Sequence, residues 1–231
     1  MFKNLTLVLA SLVLSLFLAD WVLGRLALGP SYLRAMTMGV SYDTRSKREV
    51  VQDYRTEDSN WYPSVTAVTY VRHPLIVEGQ RVIPLGGVSN AKVVVCNEGG
   101  FYSTFSTDNA GFHNPRGTWP IKQAPNIFLV GDSFTYGDCV KEGEDVASQM
   151  RKRFTSVINL SNRGNGPLQE LATIREYVPP GKVDHLFWLF YERNDLIDVN
   201  EGKVDSILIR YLESDFSQDL WQRQQQINLE I

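Results

Sequence analysis

The residues best equipped for chemistry lie in Gly131-Asp132-Ser133-Phe134-Thr135-Tyr136-Gly137. They follow the apolar run Asn126-Ile127-Phe128-Leu129-Val130, which reads as a buried strand of a parallel sheet. A serine at the carboxyl end of such a strand, between glycines, sits on a strand-to-helix turn, where ligands of open α/β sheets bind. Its hydroxyl is then a candidate nucleophile toward an ester carbonyl. The competing reading is purely structural, with Asp132 or Ser133 capping the next helix and doing nothing else.

Positioning such a serine requires a sheet, and the pattern downstream supplies one. Residues 156–160 read as a second strand, followed by the glycine-bearing loop Asn159-Leu-Ser-Asn-Arg-Gly164-Asn-Gly166. Residues 186–191 read as a third strand, apolar throughout and so expected to be buried on both faces; it ends in Glu192-Arg193-Asn194-Asp195. Helices are predicted over 142–154, with Val146, Met150 and Phe154 on one face, and over 167–177, with Pro167 in its first turn. This β-α-β-α-β order predicts a parallel sheet with right-handed crossovers, all carboxyl ends on one edge. Ser133, Gly164 and Asn194 then converge, although 194 − 133 = 61 positions separate the first from the last. The backbone N–H groups of Ser133 and Gly164 and the Asn194 amide are candidate donors to an oxyanion. Glycine at 164 lets a substrate oxygen approach the backbone closely.

The three blocks in order resemble the SGNH (GDSL-type) hydrolase superfamily, over about residues 126–195. The 131–137 heptad matches its first block, Gly164 its second and Asn194-Asp195 its third. Weaker similarity to membrane-anchored bacterial members extends to Thr107-Asp-Asn-Ala-Gly-Phe112, Ile209–Glu213 and Phe216–Leu220. The resemblance implies a flavodoxin-like three-layer α/β fold and hydrolysis or transfer of acyl groups from esters. It implies Ser133 as nucleophile, Gly164 and Asn194 completing the oxyanion hole, and Asp132 and Asp195 in support. Two departures stand out. Arg193 occupies a position where glycine is common, and the Asp-x-x-His block that carries the family's base is absent. The α/β domain therefore reads as C-terminally truncated or as a shortened relative. Of the three histidines, His185 falls at the wrong end of its strand and reads as a core or capping residue. His73, before Pro74, reads as a surface residue. His113 lies upstream of the nucleophile, with only a minor prospect of approaching the site.

The remaining chain divides into an N-terminal signal anchor or transmembrane helix (1–28), a polar linker (29–60), a small β-rich element (61–120) and the α/β domain (121–231). The anchor rests on Lys3 followed by fifteen uncharged residues, Leu5 to Ala19, with the apolar stretch resuming after Asp20. It places the globular part outside the cytoplasm, periplasmic or at the cell surface. In the β-rich element, Val65–Val71 and Ala91–Cys96 are read as antiparallel strands from their β-branched residues. Helices are also expected over 206–212 and 219–227.

With 23 Lys and Arg against 26 Asp and Glu, the net charge of −3 argues against nucleic acid as a partner. No phosphate-binding glycine-lysine loop and no His/Cys cluster is present, so no cofactor or metal is expected. Gly164-Asn-Gly166 lacks the third glycine of a dinucleotide loop. Cys96 and Cys139 are read as two buried thiols, with a single bridge in an oxidising compartment as the alternative. The activity the resemblance implies is that of an ester hydrolase, with acylated glycans and lipids among the candidate esters. A noncatalytic SGNH-like binding or docking module and an acyltransferase are the alternatives.

Overall fold

The computed structural model describes residues 2–25, 29–119, 126–193, 195, 197 and 205–231; Asn194 lies outside the described residues. The chain forms two compact units, one of residues 1–44 with 97–102, the other of 45–96 with 103–231.

The first unit holds helices α1 (Phe2–Arg25) and α2 (Pro30–Thr37), the latter opening on proline, which lacks the N–H that a first turn leaves unused. Segment 97–102 closes onto the end of this unit through the Asp43 N–H to the Gly100 carbonyl (2.7 Å) and the Asn97 amide to the Asp43 carbonyl (2.8 Å). Helix α1 fills the region expected to be a membrane anchor. Among the described residues, however, no helix is long and apolar enough to cross a membrane, so the spanning role has no support in the fold.

The second unit is a mixed α/β body with small sheets, some of them parallel. It starts at α3 (Lys47–Arg55), where Ser46 and Glu49 form a reciprocal capping box inside the charged stretch 43–49. Strand β1 (Trp61–Pro63) runs parallel to β4 (Lys92–Val94), which pairs antiparallel with β5 (Thr104–Ser106). Strands β2 (Leu75–Val77) and β3 (Gln80–Val82) form a hairpin whose turn residues, Glu78 and Gly79, both have positive φ. The β-rich element is thus antiparallel only in part. Val65–Val71 is not a strand. Residues Ala67–Arg72 form helix α4, because Ala67 and Tyr70 are buried one turn apart and the Ala67 N–H bonds the Arg163 carbonyl (2.8 Å). Packing here overrides the β propensity of the valines and threonines.

The parallel sheet is as expected, three strands in the order β7-β6-β8: β6 (Asn126–Gly131), β7 (Ser156–Asn159) and β8 (His185–Leu189). Helix α5 (Ser133–Tyr136) follows β6, α6 (Val146–Arg151) precedes β7 and α7 (Pro167–Tyr177) links β7 to β8. Helices α8 (Ser206–Arg210) and α9 (Gln224–Glu230) complete the unit. Alternation along β6 builds two cores. Phe128 and Val130 pack with Phe112, Ile158, Leu160, Leu208, Tyr211 and Leu220, while Ile127 and Leu129 pack with Ala147 and Val157. Strand β8 is not buried on both faces. Among the described residues it has a paired neighbour on one side only, and Phe187 and Trp188 are 48% and 53% exposed.

Candidate active site

The turn after β6 separates capping from chemistry. Asp132 takes the cap of α5, its Oδ1 accepting the Phe134 N–H at 3.0 Å. Ser133 opens the helix with its Oγ in no hydrogen bond to a described residue. Both flanking glycines have steric causes. A Cβ on Gly131 would sit 2.3 Å from Thr135 Oγ1 and 2.9 Å from the Leu189 carbonyl. Gly137 ends α5 at φ +80°, where a Cβ would lie 2.6 Å from that of Asp145.

The second loop is tied to the first. Gly164 adopts φ +68°, its neighbour Arg163 receives the Ala67 N–H, and the buried Asn165 donates its amide to the Gly131 carbonyl at 3.3 Å. The third loop reaches the same place through Tyr191, whose ring meets Phe134 edge-on at 4.9 Å. Buried Asp195 turns that loop, accepting the Tyr191 N–H at 2.6 Å on Oδ2 while its own N–H bonds the Tyr191 carbonyl at 3.0 Å. The three strand ends thus meet at the turn of residues 131–134. The N–H groups of Ser133 and Gly164 carry no acceptor among the described residues.

A buried polar clamp sets this edge from behind. Asn159, at the end of β7, donates to the Thr135 carbonyl at 2.7 Å and accepts the Ser161 N–H at 3.0 Å. Asn114 holds both backbone groups of Asn159, at 2.8 and 2.9 Å, and donates to Asp108 at 2.8 Å. Asp108 also accepts from the Ala110 and Phe112 N–H groups and the Trp119 indole. Burial pushes its carboxyl up, against the pull of the Asn114, Trp119, Phe112 and Ala110 donors. The segment Thr107–Phe112 therefore shapes the loop bearing the clamp.

No histidine serves Ser133. His113 is buried, stacked on Phe105 with ring centres 3.8 Å apart, its Nδ1 bonded to the Tyr136 carbonyl at 2.8 Å. Its Nε2 lies 3.9 Å from Asp145 Oδ2, and burial pushes the imidazole pKa down, so the ring is a neutral core residue. His185 opens β8 opposite Ile127, away from the carboxyl edge, and is exposed rather than core or capping. His73 follows α4 on the surface. Among the described residues neither imidazole nor carboxylate hydrogen-bonds Ser133 Oγ.

Cys96 and Cys139 are joined in a disulfide, not two separate thiols. The bridge ties the chain after β4 to the turn after α5. Asp138 lies beside both sulfurs, but its carboxylate is paired with Arg163 at 2.8 Å and the bonded sulfurs are not thiolate ligands. Two concavities are lined by neither Ser133 nor Gly164. One, of about 510 Å³, is bordered by Arg81, Arg210 and Arg223; another, of about 360 Å³, by Trp119, Tyr177 and Trp221.

Sequence reading missed Asn165, Asn114 and the polar side chains of Lys47, Ser64 and Arg163 on the flank of the Gly164 loop. Asn165, set between two glycines of a loop already singled out, carried a usable signal; the others are assembled only by folding. No family model, curated protein or solved structure matches the chain.

Proposed function

We propose that the protein is an SGNH-type serine ester hydrolase on a flavodoxin-like parallel sheet, with Ser133 as nucleophile. The observation that carries this reading is the meeting of three strand-end loops at the turn that bears Ser133, with the N–H groups of Ser133 and Gly164 bonding no acceptor among the described residues. In that reaction Ser133 Oγ adds to the ester carbonyl carbon. The carbonyl electron pair moves onto oxygen, held by the N–H groups of Ser133 and Gly164 and by the Asn194 amide. Collapse breaks the ester C–O bond, the proton lost by Ser133 Oγ leaves on the alcohol, and water then cleaves the acyl-serine, freeing the carboxylic acid and returning a proton to Oγ. Asp132 supports the site by capping α5, and Asp195 by turning the loop that bears Asn194.

One observation favours a second reading, an SGNH-like binding or docking module: Ser133 Oγ has no base in hydrogen-bond contact among the described residues. Acyl transfer to a sugar hydroxyl is the same chemistry with another acceptor. A fluorophosphonate probe on the folded 231-residue chain decides between reaction and binding. Labelling is expected in the wild type, none in Ser133→Ala, and labelling slowed about a hundredfold in Asn194→Ala. A folded wild type that takes no label sinks catalysis by this chain.

We further propose an extracytoplasmic location with attachment to a membrane through α1. The disulfide supports the first, since such bonds persist in oxidising compartments. The apolar side chains that α1 exposes, from Leu7 to Val22, support the second.

A further inference from the structure

Four polar side chains unused by the Ser133 chemistry gather beside the Gly164 loop. Lys47 stands in the first turn of α3, Ser64 directly after β1, Arg163 directly before Gly164, and Asp138 just after α5. Lys47 Nζ lies 2.9 Å from Ser64 Oγ, and Arg163 Nη1 lies 3.2 Å from the same oxygen. Ser64 Oγ is 3.3 Å from the Val95 carbonyl, to which it donates, so its lone pairs face the two cations. Arg163 Nε donates to Asp138 Oδ2 at 2.8 Å.

The charges in this cluster do not balance. Lys47 and Arg163 share the single carboxylate of Asp138, which is paired with Arg163, and the hydrogen bond of Lys47 goes to a hydroxyl. A desolvated ammonium beside a guanidinium is costly unless further negative charge reaches it. Burial, and then repulsion from Arg163, hold the Lys47 pKa down to about 8, with Asp138 pulling the other way. Both cations keep access to solvent: Lys47 is half-buried and the Arg163 side chain is 21% exposed. The Arg163 backbone is held by the Ala67 N–H at 2.8 Å and its guanidinium by Asp138 at 2.8 Å.

We propose that Lys47, Arg163 and Ser64 form an oxyanion-binding subsite, for a carboxylate or phosphate group, on the flank of the Ser133 site. The site's ligand then carries an anionic group; only this last step rests on the Ser133 reading. The oxyanion has two sources, the substrate's own charged group or free inorganic phosphate.

Inorganic phosphate titrated into the full chain, read by NMR at Lys47 Nζ and the Arg163 guanidinium, tests the subsite directly. Saturable shifts are expected, with affinity reduced about tenfold or more in Lys47→Gln and unchanged in Arg48→Gln, an exposed charge on the same helix. Binding weakens as pH rises through the Lys47 pKa, because the ammonium loses its charge. Shifts that never saturate in the wild type, or equal affinity in Lys47→Gln, overturn the proposal. Two esters separate the sources. If the oxyanion belongs to the substrate, Lys47→Gln raises KM for 4-acetoxybenzoate and spares phenyl acetate; if it is free phosphate, added phosphate alters both esters alike. Absent fluorophosphonate labelling removes the Ser133 reading and leaves the phosphate titration standing. A flat titration beside normal labelling removes the subsite alone.

Discussion

The heptad at residues 131–137 shows how single positions divide their duties. Asp132 supplies the helix cap, which leaves the Ser133 hydroxyl uncommitted, and the two glycines answer to space and backbone rather than to catalysis. Gly137 combines a left-handed φ of +80° with a neighbour that a Cβ would meet at 2.6 Å. Gly143 has a comparable φ of +86° but open space around it. Alanine at 143 is expected to cost about 1 kcal/mol from backbone strain alone. Alanine at 137 adds overpacking against Asp145, for about 2–4 kcal/mol in all. Denaturant midpoints of the two variants measure the difference, and equal losses would show that Asp145 yields freely. Because Gly137 closes the turn that follows Ser133, its variant should also slow probe labelling more than the Gly143 variant does.

At the scale of elements, the sequence made the parallel sheet readable and left much of its surroundings dark. Asn126–Val130 is a continuous apolar run in a strand covered on both faces, and Pro167 with the Pro179-Pro180 stop brackets α7 at its observed ends. Val65–Val71 misled because local propensity cannot register that Ala67 docks on the Arg163 carbonyl, 96 positions away (163 − 67). The Lys47, Ser64 and Arg163 cluster was illegible for the same reason: its contacts span 17 and 99 residues. Strand β8 misled in the opposite sense. Its apolar sequence implied two covered faces, yet it lies at the edge of the described sheet, with its Trp188 indole bonded to Glu170 at 2.6 Å. Edge strands are commonly guarded by charge or proline, and His185–Leu189 has neither at its centre. The purified chain should therefore self-associate as its concentration rises, and Phe187→Lys should suppress this. Sedimentation of both proteins over a concentration series checks it, with the variant's stability expected to stay within about 0.5 kcal/mol of the wild type. Association unchanged by a lysine at 187 would place the sticky surface elsewhere.

At the scale of the whole chain, the question is which surroundings suit it. The Cys96–Cys139 bridge spans 43 residues, worth about 4 kcal/mol in the chain-entropy description, a gain available only where thiols stay oxidised. Helix α1 adds a second requirement. Leu9, Leu12, Leu16 and Phe17 project into solvent, and a helix apolar on all sides is stable when something apolar surrounds it. No described helix is long and apolar enough to cross a membrane, so the expectation is attachment, which needs a buried apolar surface rather than a full span. Charge does not supply that attachment, because the chain carries a net −3 and would be repelled by an anionic surface. Flotation with neutral phosphatidylcholine vesicles isolates the apolar term. The full chain should rise with the vesicles at low and high salt alike, since screening weakens only the electrostatic part. Leu12→Lys with Leu16→Lys places two charges one turn apart on α1 and should leave the protein at the bottom of the gradient, still folded and still disulfide-bonded. A wild-type chain that stays at the bottom, or a double variant that floats as well as the wild type, removes α1 from any membrane role.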